Sequence, residues 1–556
     1  MTETAATRVI GATRLLEALE QLGVELVFGL PGVHNLPIWK ALSESDVRLI
    51  GVRHEQTAVY AADGYARATG RLGVAVVTTG PGAANTLGAT GEAMASGSPV
   101  LVIATDIATT LRREGVYGGT LHETRDQTAM FRPVTKTAWL LAGAEEIAAA
   151  VLESGSLALA APTGPVYLGV PTDLLLSPLA ARAPAIEVTP ARASSPATLP
   201  AAAALVHASE LLSAAQRPLI WAGGGALRAG AGPRVGELAH KLAAPVITTF
   251  NARGLLAREH PCTVPGPAHA REVGALWDES DVVLAVGTDF DGTMTQNWQM
   301  PAPTRLISIN VDQTEASKNY RPDLTLLGDA GAVLEQLVPR VARRDGLGEL
   351  ERRLAGIGRA VADWVASDDP QAAGFLDIMH RALPVDAVVV TDMCIPGYWL
   401  AGYWQVPKPR KLAYPLGWGT LGFGFPASLG VALAGAGPTI CVCGDGGFMY
   451  ACGELATVVQ ERIPLTIVLV NDGGYGMLRF DQIQAGEEPF GVELVTPDFP
   501  ALAGAFGIPV RTVQGFGPEF EQALGSSLAA GEPQMIEVYA SLKPPPTTSP
   551  RWYRKP

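Results

Sequence analysis

Short apolar runs rich in β-branched residues alternate with Ala-rich stretches along most of the chain, and this alternation restricts the fold more than any other feature. The first series covers about residues 8–180, with runs at LVFGLPG (26–32), VRLIGVR (47–53), GVAVVTTGPG (73–82), SPVLVIATD (98–106) and GPVYLGVP (164–171). A strand covered by helices on both faces loses the in/out alternation of a half-exposed strand, so apolar runs at helix-length intervals predict βα units on a parallel sheet. A shorter second series has PLIWAGGG (218–225), PVITTF (245–250), DVVLAVGTDF (281–290) and TRLISINVD (304–312). A third has AVVVTDM (387–393), PTICVCGDG (438–446), PLTIVLVND (464–472) and PQMIEV (533–538). The expected fold is α/β, with three doubly wound parallel-sheet domains.

The boundaries follow from composition. Residues 1–180 form the first domain, and 181–200, rich in Ala, Pro and Ser, read as a linker. The second domain covers 201–342, a charged helical connection 343–370, the third domain 371–545, and a Pro-rich extended tail 546–556. A chain of 556 residues suits this number of cores at ~100–200 residues per domain. With 48% apolar and 17% charged residues, much of the surface is expected to be covered by other subunits.

The formal charge of −13, with no cluster of Lys and Arg able to follow a phosphate backbone, argues against nucleic-acid binding. Five cysteines (Cys262, Cys394, Cys441, Cys443, Cys452) read as buried thiols in a reducing compartment. No basic segment followed by an apolar one opens the chain, and no uninterrupted apolar window of ~18 residues occurs, so a soluble, cytoplasmic protein without membrane contact is expected.

The segment from Gly444 to Gly474, GDGGFMYACGELATVVQERIPLTIVLVNDGG, carries the strongest chemical signal. It places Asp445 and Asn471 at the C-terminal ends of two successive strands, with a helix of about four turns expected between them. Adjacent strand ends meet at the rim where α/β sheets bind ligands, so the two side-chain oxygens can converge on a hard cation such as Mg²⁺. Gly444, Gly446 and Gly447 allow backbone N–H groups to approach a diphosphate. Either motif alone reads as an ordinary turn; the pair at this spacing is expected to form a metal–diphosphate site.

A second signal lies in VRHEQTAVYAADGYARATG, where Glu55 opens an Ala-rich helix directly after what reads as a buried strand. Alone, Glu55 is a carboxylate favoured by the helix dipole.

The two signals together resemble the thiamine-diphosphate enzymes, and the resemblance covers nearly the whole chain. It implies a pyrimidine-binding domain, a central domain and a diphosphate-binding domain in that order. In that family the Asp of GDG, the later Asn and a backbone carbonyl two residues beyond it hold the metal; here these are Asp445, Asn471 and Gly473. The family glutamate in an RHE-type sequence bonds N1′ of the aminopyrimidine and shifts it to the imino tautomer, whose N4′ removes the C2 proton; here it is Glu55.

YPLGWGTLGFGFPASLG resembles the segment that bends the cofactor, with Leu421 as the wedge and the Gly419 carbonyl accepting from the pyrimidine amino group; the alternative is Leu421 as ordinary core. Thr79 and Asn85, in TTGPGAANT, match the pyrimidine-domain pattern. The resemblance extends the cofactor contacts to Gly444, Gly446, Gly447, Tyr475, Gly476 and Met477. His34, in FGLPGVHN, lies where some members place a catalytic histidine, and His122, in TLHETRDQTAM, where acetolactate synthases usually carry Gln. Either could shuttle protons or be a satisfied loop residue. The glycine-rich AGGGALRAGAG (222–232) leaves FAD, ADP or no nucleotide open for the central domain.

The architecture resembles the acetolactate synthase branch, while PGVHN, TLHE, FNARGLLAREHP and VTPDF resemble 5-guanidino-2-oxopentanoate decarboxylases. Synthases usually carry a Gln-His pair where this chain has Ile395 and Pro396, and a Trp where it has Asp481; these departures bear on the acceptor substrate. The resemblance implies decarboxylation of a 2-oxo acid with carboligation to a second carbonyl compound. The alternatives are release of an aldehyde, a benzaldehyde-lyase-like C–C cleavage, or a catalytically silent homologue. A nicotinamide-dependent dehydrogenase would need an acidic ribose-binding residue after Gly225, and none is evident. The family's sites form between two subunits, so a homodimer or homotetramer is implied.

Overall fold

The computed structural model describes residues 9–113, 115–180 and 199–546. The expected linker at 181–200, apart from its last two residues, and the tail beyond 546 lie outside the described residues. Two compact units result. One comprises the described parts of 1–195 with 415–435 and 451–463; the other comprises 199–414, 436–450 and 464–546.

The first unit holds a six-stranded sheet of β1 (Leu26–Gly29), β2 (Arg48–Gly51), β3 (Gly73–Val77), β4 (Val100–Asp106), β5 (Thr137–Leu140) and β6 (Val166–Pro171). The order is β2-β1-β3-β4-β6-β5 and every pairing is parallel. β3, β4 and β6 are buried at every position, as their unbroken apolar runs require. β5 was not expected from the sequence; it lies at an edge and is half-buried throughout. β2, read as buried, is the opposite edge and only half-covered, because a sheet edge has a neighbour on one side alone. The chain runs from β1 outward to β2 and returns to β3 on the other side of β1, so a topological switch falls between β1 and β3.

The helix Glu55–Thr69 follows β2. His54 caps its start by accepting from Gln56 N–H, and Gly70, at φ 72°, ends it in the left-handed region. It packs against the helix Gly424–Leu433 at backbone distance. A Cβ on Gly64 would lie 2.1 Å from the Ala427 carbonyl oxygen, and one on Gly430 1.8 Å from that of Ala61, so only glycine permits this approach.

The second unit contains two all-parallel sheets. One is built from β7 (Pro218–Ala222), β8 (Val246–Thr248), β9 (Val282–Val286), β10 (Leu306–Asn310) and β11 (Leu324–Leu327), in the order β11-β10-β9-β7-β8. The other is built from β12 (Val388–Thr391), β13 (Leu412–Ala413), β14 (Thr439–Gly444), β15 (Leu465–Asn471), β16 (Val510–Gln514) and β17 (Gln534–Tyr539), in the order β13-β12-β14-β15-β17-β16. Its switch lies between β12 and β14, at whose C-terminal end Asp445 emerges. The helix Leu347–Asp368 fills most of the expected helical connection.

The four-turn helix expected between β14 and β15 does not form. A single turn Asp445–Phe448, a 3₁₀ turn Cys452–Glu454 and a short helix Leu455–Gln460 replace it. Ala451 leaves helical geometry at φ −137°, and Glu454 turns its carboxylate to the backbone N–H groups of Arg53 and His54. All five cysteines are free, but Cys394 and Cys452 are half-buried rather than buried. Among the described residues no helix is long and apolar enough to cross a membrane.

Candidate active site

In the first unit Glu55 is 8% exposed at the first turn of its helix. Asn85 Nδ2 donates to Glu55 Oε2 at 3.0 Å, and no other hydrogen bond to this carboxyl exists among the described residues. A Cβ on Gly82 would stand 3.4 Å from Oε1, so the glycine-rich turn after β3 lies alongside the carboxyl. The sequence thus singled out Glu55 and Asn85 separately, and the fold joins them. It did not single out Glu454. That buried side chain accepts from Arg53 N–H at 2.9 Å and His54 N–H at 3.0 Å, fixing the backbone immediately before Glu55. A buried carboxylate among unpaired helix-start amides is the physical signal.

His34 and His122 meet edge to face, with ring centroids 5.2 Å apart. The Nδ1 atom of each is buried without a hydrogen-bond partner, as are Asp106 Oδ2 and Thr78 Oγ1. Burial pushes the His34 imidazole below its usual range, His122 adds to this, and Asp106 opposes it. Asp106 also pairs with Arg112 at 2.9 Å. Buried polar atoms without partners mark a place built for a polar ligand or water. Thr79, by contrast, is wholly buried and spends its hydroxyl on Thr105 at 2.9 Å.

Gly419 (φ 68°) and Leu421 lie in the turn before the helix Gly424–Leu433, and Leu421 is only half-buried, not ordinary core. Glu92 holds this turn: its carboxylate accepts from Gly417 N–H at 3.1 Å, Trp418 N–H at 2.9 Å and the Thr420 hydroxyl at 3.3 Å. Arg67, itself paired with Asp63 at 2.7 Å, reaches Glu92 at 3.2 Å. Burial alone would raise the Glu92 carboxyl, but Arg67 and the Trp418 N–H outweigh it and hold it below the usual carboxylate range.

In the second unit Asp445 (1% exposed) and Asn471 (6%) stand at the ends of neighbouring strands. Their side-chain oxygens converge on one amide: Gly473 N–H lies 3.0 Å from Asp445 Oδ2 and 3.3 Å from Asn471 Oδ1. Gly474 N–H donates to the same Asp445 oxygen at 3.0 Å. Gly473, at φ 76°, folds the chain back over both groups. Burial pushes the Asp445 carboxyl up, against the amides that hold it down. Burial also drives Asp472 up to about 6, with Asp445 contributing and Arg479, at 3.2 Å, opposing.

Two crowded carboxylates, Asp445 and Asp472, thus lie near one guanidinium, and the Asn471 amide oxygen meets Asp445 at the Gly473 N–H. Among the described residues no group of three or more His, Cys, Asp or Glu side chains is placed to hold a metal. A cavity of about 340 Å³ opens here, lined by Asp445, Gly446, Met449, Tyr450, Tyr475 and Val495 among others. The Tyr475 ring rests on Gly446, where a Cβ would come within 2.8 Å of it; Gly444 and Gly447 flank the same turn. Gly476 accommodates the Asp472 carboxylate, 2.1 Å from where a Cβ would sit, and Met477 is half-buried in the helix Gly476–Gln484. Met449, Tyr450 and Leu494 were not singled out in the sequence because wall residues of a pocket carry no periodicity, whereas Val495, Thr496 and Pro497 belong to the VTPDF segment noted there for its resemblance alone.

In the central sheet the glycine-rich turn after β7 packs on Gly287: a Cβ on Gly223 or Gly225 would lie 2.4 and 2.8 Å from it. Backbone packing therefore accounts for these glycines without a nucleotide.

Comparison with known proteins identifies the family. The family model for the thiamine pyrophosphate enzyme N-terminal TPP binding domain matches residues 10–130, the central domain 205–337, and the C-terminal TPP binding domain 392–538. The chain belongs to the thiamine pyrophosphate enzyme family. It is 35% identical over 542 residues to a probable 2-ketoarginine decarboxylase of Pseudomonas aeruginosa, covering 94% of this chain and 93% of that protein. It is 30% identical over 549 residues to a probable acetolactate synthase large subunit of Methanocaldococcus jannaschii (95% and 91%), and 31% over 515 residues to the acetolactate synthase isozyme 3 large subunit of Escherichia coli (89% and 88%).

Proposed function

We propose that this chain decarboxylates a 2-oxo acid using thiamine diphosphate and Mg²⁺ and joins the retained fragment to a second carbonyl compound. The observation that carries the reading is the convergence of Asp445 and Asn471 oxygens on one amide at adjoining strand ends. Asp445, Asn471 and the Gly473 carbonyl would hold the metal, and the amides of the 444–447 turn would face the diphosphate. When bound, thiamine diphosphate supplies the electron sink that lets CO₂ depart.

The residues do the rest. Glu55, steadied by Asn85 on one carboxyl oxygen, would hold or move a proton at the pyrimidine N1′ through the other. Leu421 would offer an apolar edge to the cofactor, and the Gly419 carbonyl would accept from its amino group. Tyr475, Gly476 and Met477 line the approach. A second reading, protonation of the fragment and release of an aldehyde, is favoured by the unpartnered nitrogens of His34 and His122. Mass analysis of products from a panel of 2-oxo acids, with cofactor and Mg²⁺ supplied, separates the readings. Longer hydroxy-ketone products are expected; aldehydes alone would favour the second, and no CO₂ from any acid would refute both.

We further propose a homodimer or homotetramer in which Glu55 of one copy serves the metal site of another. Large apolar side chains left exposed on the first unit (Val33, Leu36, Val116, Tyr117, Leu121) support coverage by a partner. Mixing inactive Glu55→Gln and Asp445→Asn proteins under conditions of subunit exchange is then expected to restore activity, because one hybrid site carries both intact groups. No recovery despite exchange, followed by native mass spectrometry, would exclude shared sites.

A further inference from the structure

Asn471 can present either end of its amide to a cation, and only the oxygen end binds one. Two neighbours fix the choice. On one side Gly473 N–H, a donor, lies 3.3 Å from Oδ1. On the other, Nδ2 donates to Glu537 Oε1 at 2.9 Å, and a carboxylate only accepts. Glu537 sits on β17, beside β15, 1% exposed. Its other oxygen accepts from the Thr512 hydroxyl on β16 at 3.2 Å. Thr512 stands opposite Glu537 in the parallel register, and Asn471 lies on β15 two residues beyond Leu469, which faces Glu537, so a diagonal of hydrogen-bonded side chains crosses three strands and ends at Asn471.

We infer that Glu537 is a positioning residue for the metal site: by taking up the Asn471 NH₂ group it locks the amide with Oδ1 toward Asp445 and the cation. This rests on the reading of Asp445 and Asn471 as metal ligands. A buried carboxylate in a strand core is costly, and packing alone calls for an apolar side chain there. Hydrogen-bond partners of metal ligands commonly set affinity by about 10–100-fold.

The test is a Mg²⁺ titration of chelator-stripped protein with thiamine diphosphate saturating, followed by calorimetry and by intrinsic fluorescence. Glu537→Met removes the acceptor at similar volume and is expected to weaken Mg²⁺ binding by about 10–100-fold. Glu537→Gln can still offer its amide oxygen to Nδ2 and is expected to keep the affinity within about three-fold, a rescue that mere volume filling would not produce. Where the Met variant fails to fold, Glu537→Asp keeps the charge but withdraws the acceptor by one methylene, and a loss of about 10-fold is expected. Asp445→Asn is measured alongside. Unchanged Mg²⁺ affinity in folded Glu537→Met or Glu537→Asp, while Asp445→Asn loses it, overturns the positioning role alone. Unchanged affinity in Asp445→Asn overturns the metal-site reading beneath it.

Discussion

Glu55→Gln is expected to lower turnover by roughly 10²–10⁴-fold while leaving the protein folded and able to take up cofactor. Glutamine is isosteric, and its amide oxygen can still accept from Asn85, so the 3.0 Å contact that orients the side chain survives. What is lost is the ability to hand over and recover a proton. Stability should therefore change by no more than about 0.5 kcal/mol, and calorimetric cofactor affinity by only a few-fold. The measurement is CO₂ release at saturating cofactor and 2-oxo acid. A variant that retained activity within a few-fold of the parent would remove Glu55 from the chemistry.

Asp445→Asn is expected to weaken Mg²⁺-dependent cofactor binding by more than about 100-fold, because it removes the one formal charge in the proposed donor set. The shape is nearly kept: an amide oxygen can still accept from the Gly473 and Gly474 N–H groups that now bond Asp445. The Gly446 N–H, 2.7 Å from Asp445 Oδ1, would instead face an NH₂ group, so a modest loss of stability of about 1–3 kcal/mol accompanies the change. Gel filtration in cofactor and Mg²⁺, followed by assay of what stays bound, reads the effect. Cofactor retained in parent-like amount would place the diphosphate elsewhere.

The two expectations rest on features of unequal legibility. The buried strands were evident in the sequence because burial on both faces demands unbroken apolar runs; β3, β4, β9, β14 and β15 coincide with such runs. The strands not anticipated, β5, β11, β13 and β16, all lie at sheet edges. β16, VRTVQ, is exposed at most positions, and a strand with a neighbour on one side only needs no apolar run to pair. The failed helix after Asp445 has a tertiary cause: the chain leaves helical geometry at Ala451, and the Arg53 and His54 amides hold the Glu454 carboxylate just beyond it.

By itself the sequence determined the three parallel sheets, because hydrophobic periodicity is a local property of the chain; it marked Asp445 and Asn471 as candidates at glycine-bounded strand ends, and Glu55 by resemblance alone. Tertiary structure alone decided which groups support them. Asn85 beside Glu55, Glu92 beneath the Gly417–Thr420 turn, Glu454 at the head of the Glu55 helix and Glu537 behind Asn471 are each brought in from distant segments. A carboxylate has no sequence signature for the amide it will meet; the hydrogen bond exists only once folding has excluded water from both partners.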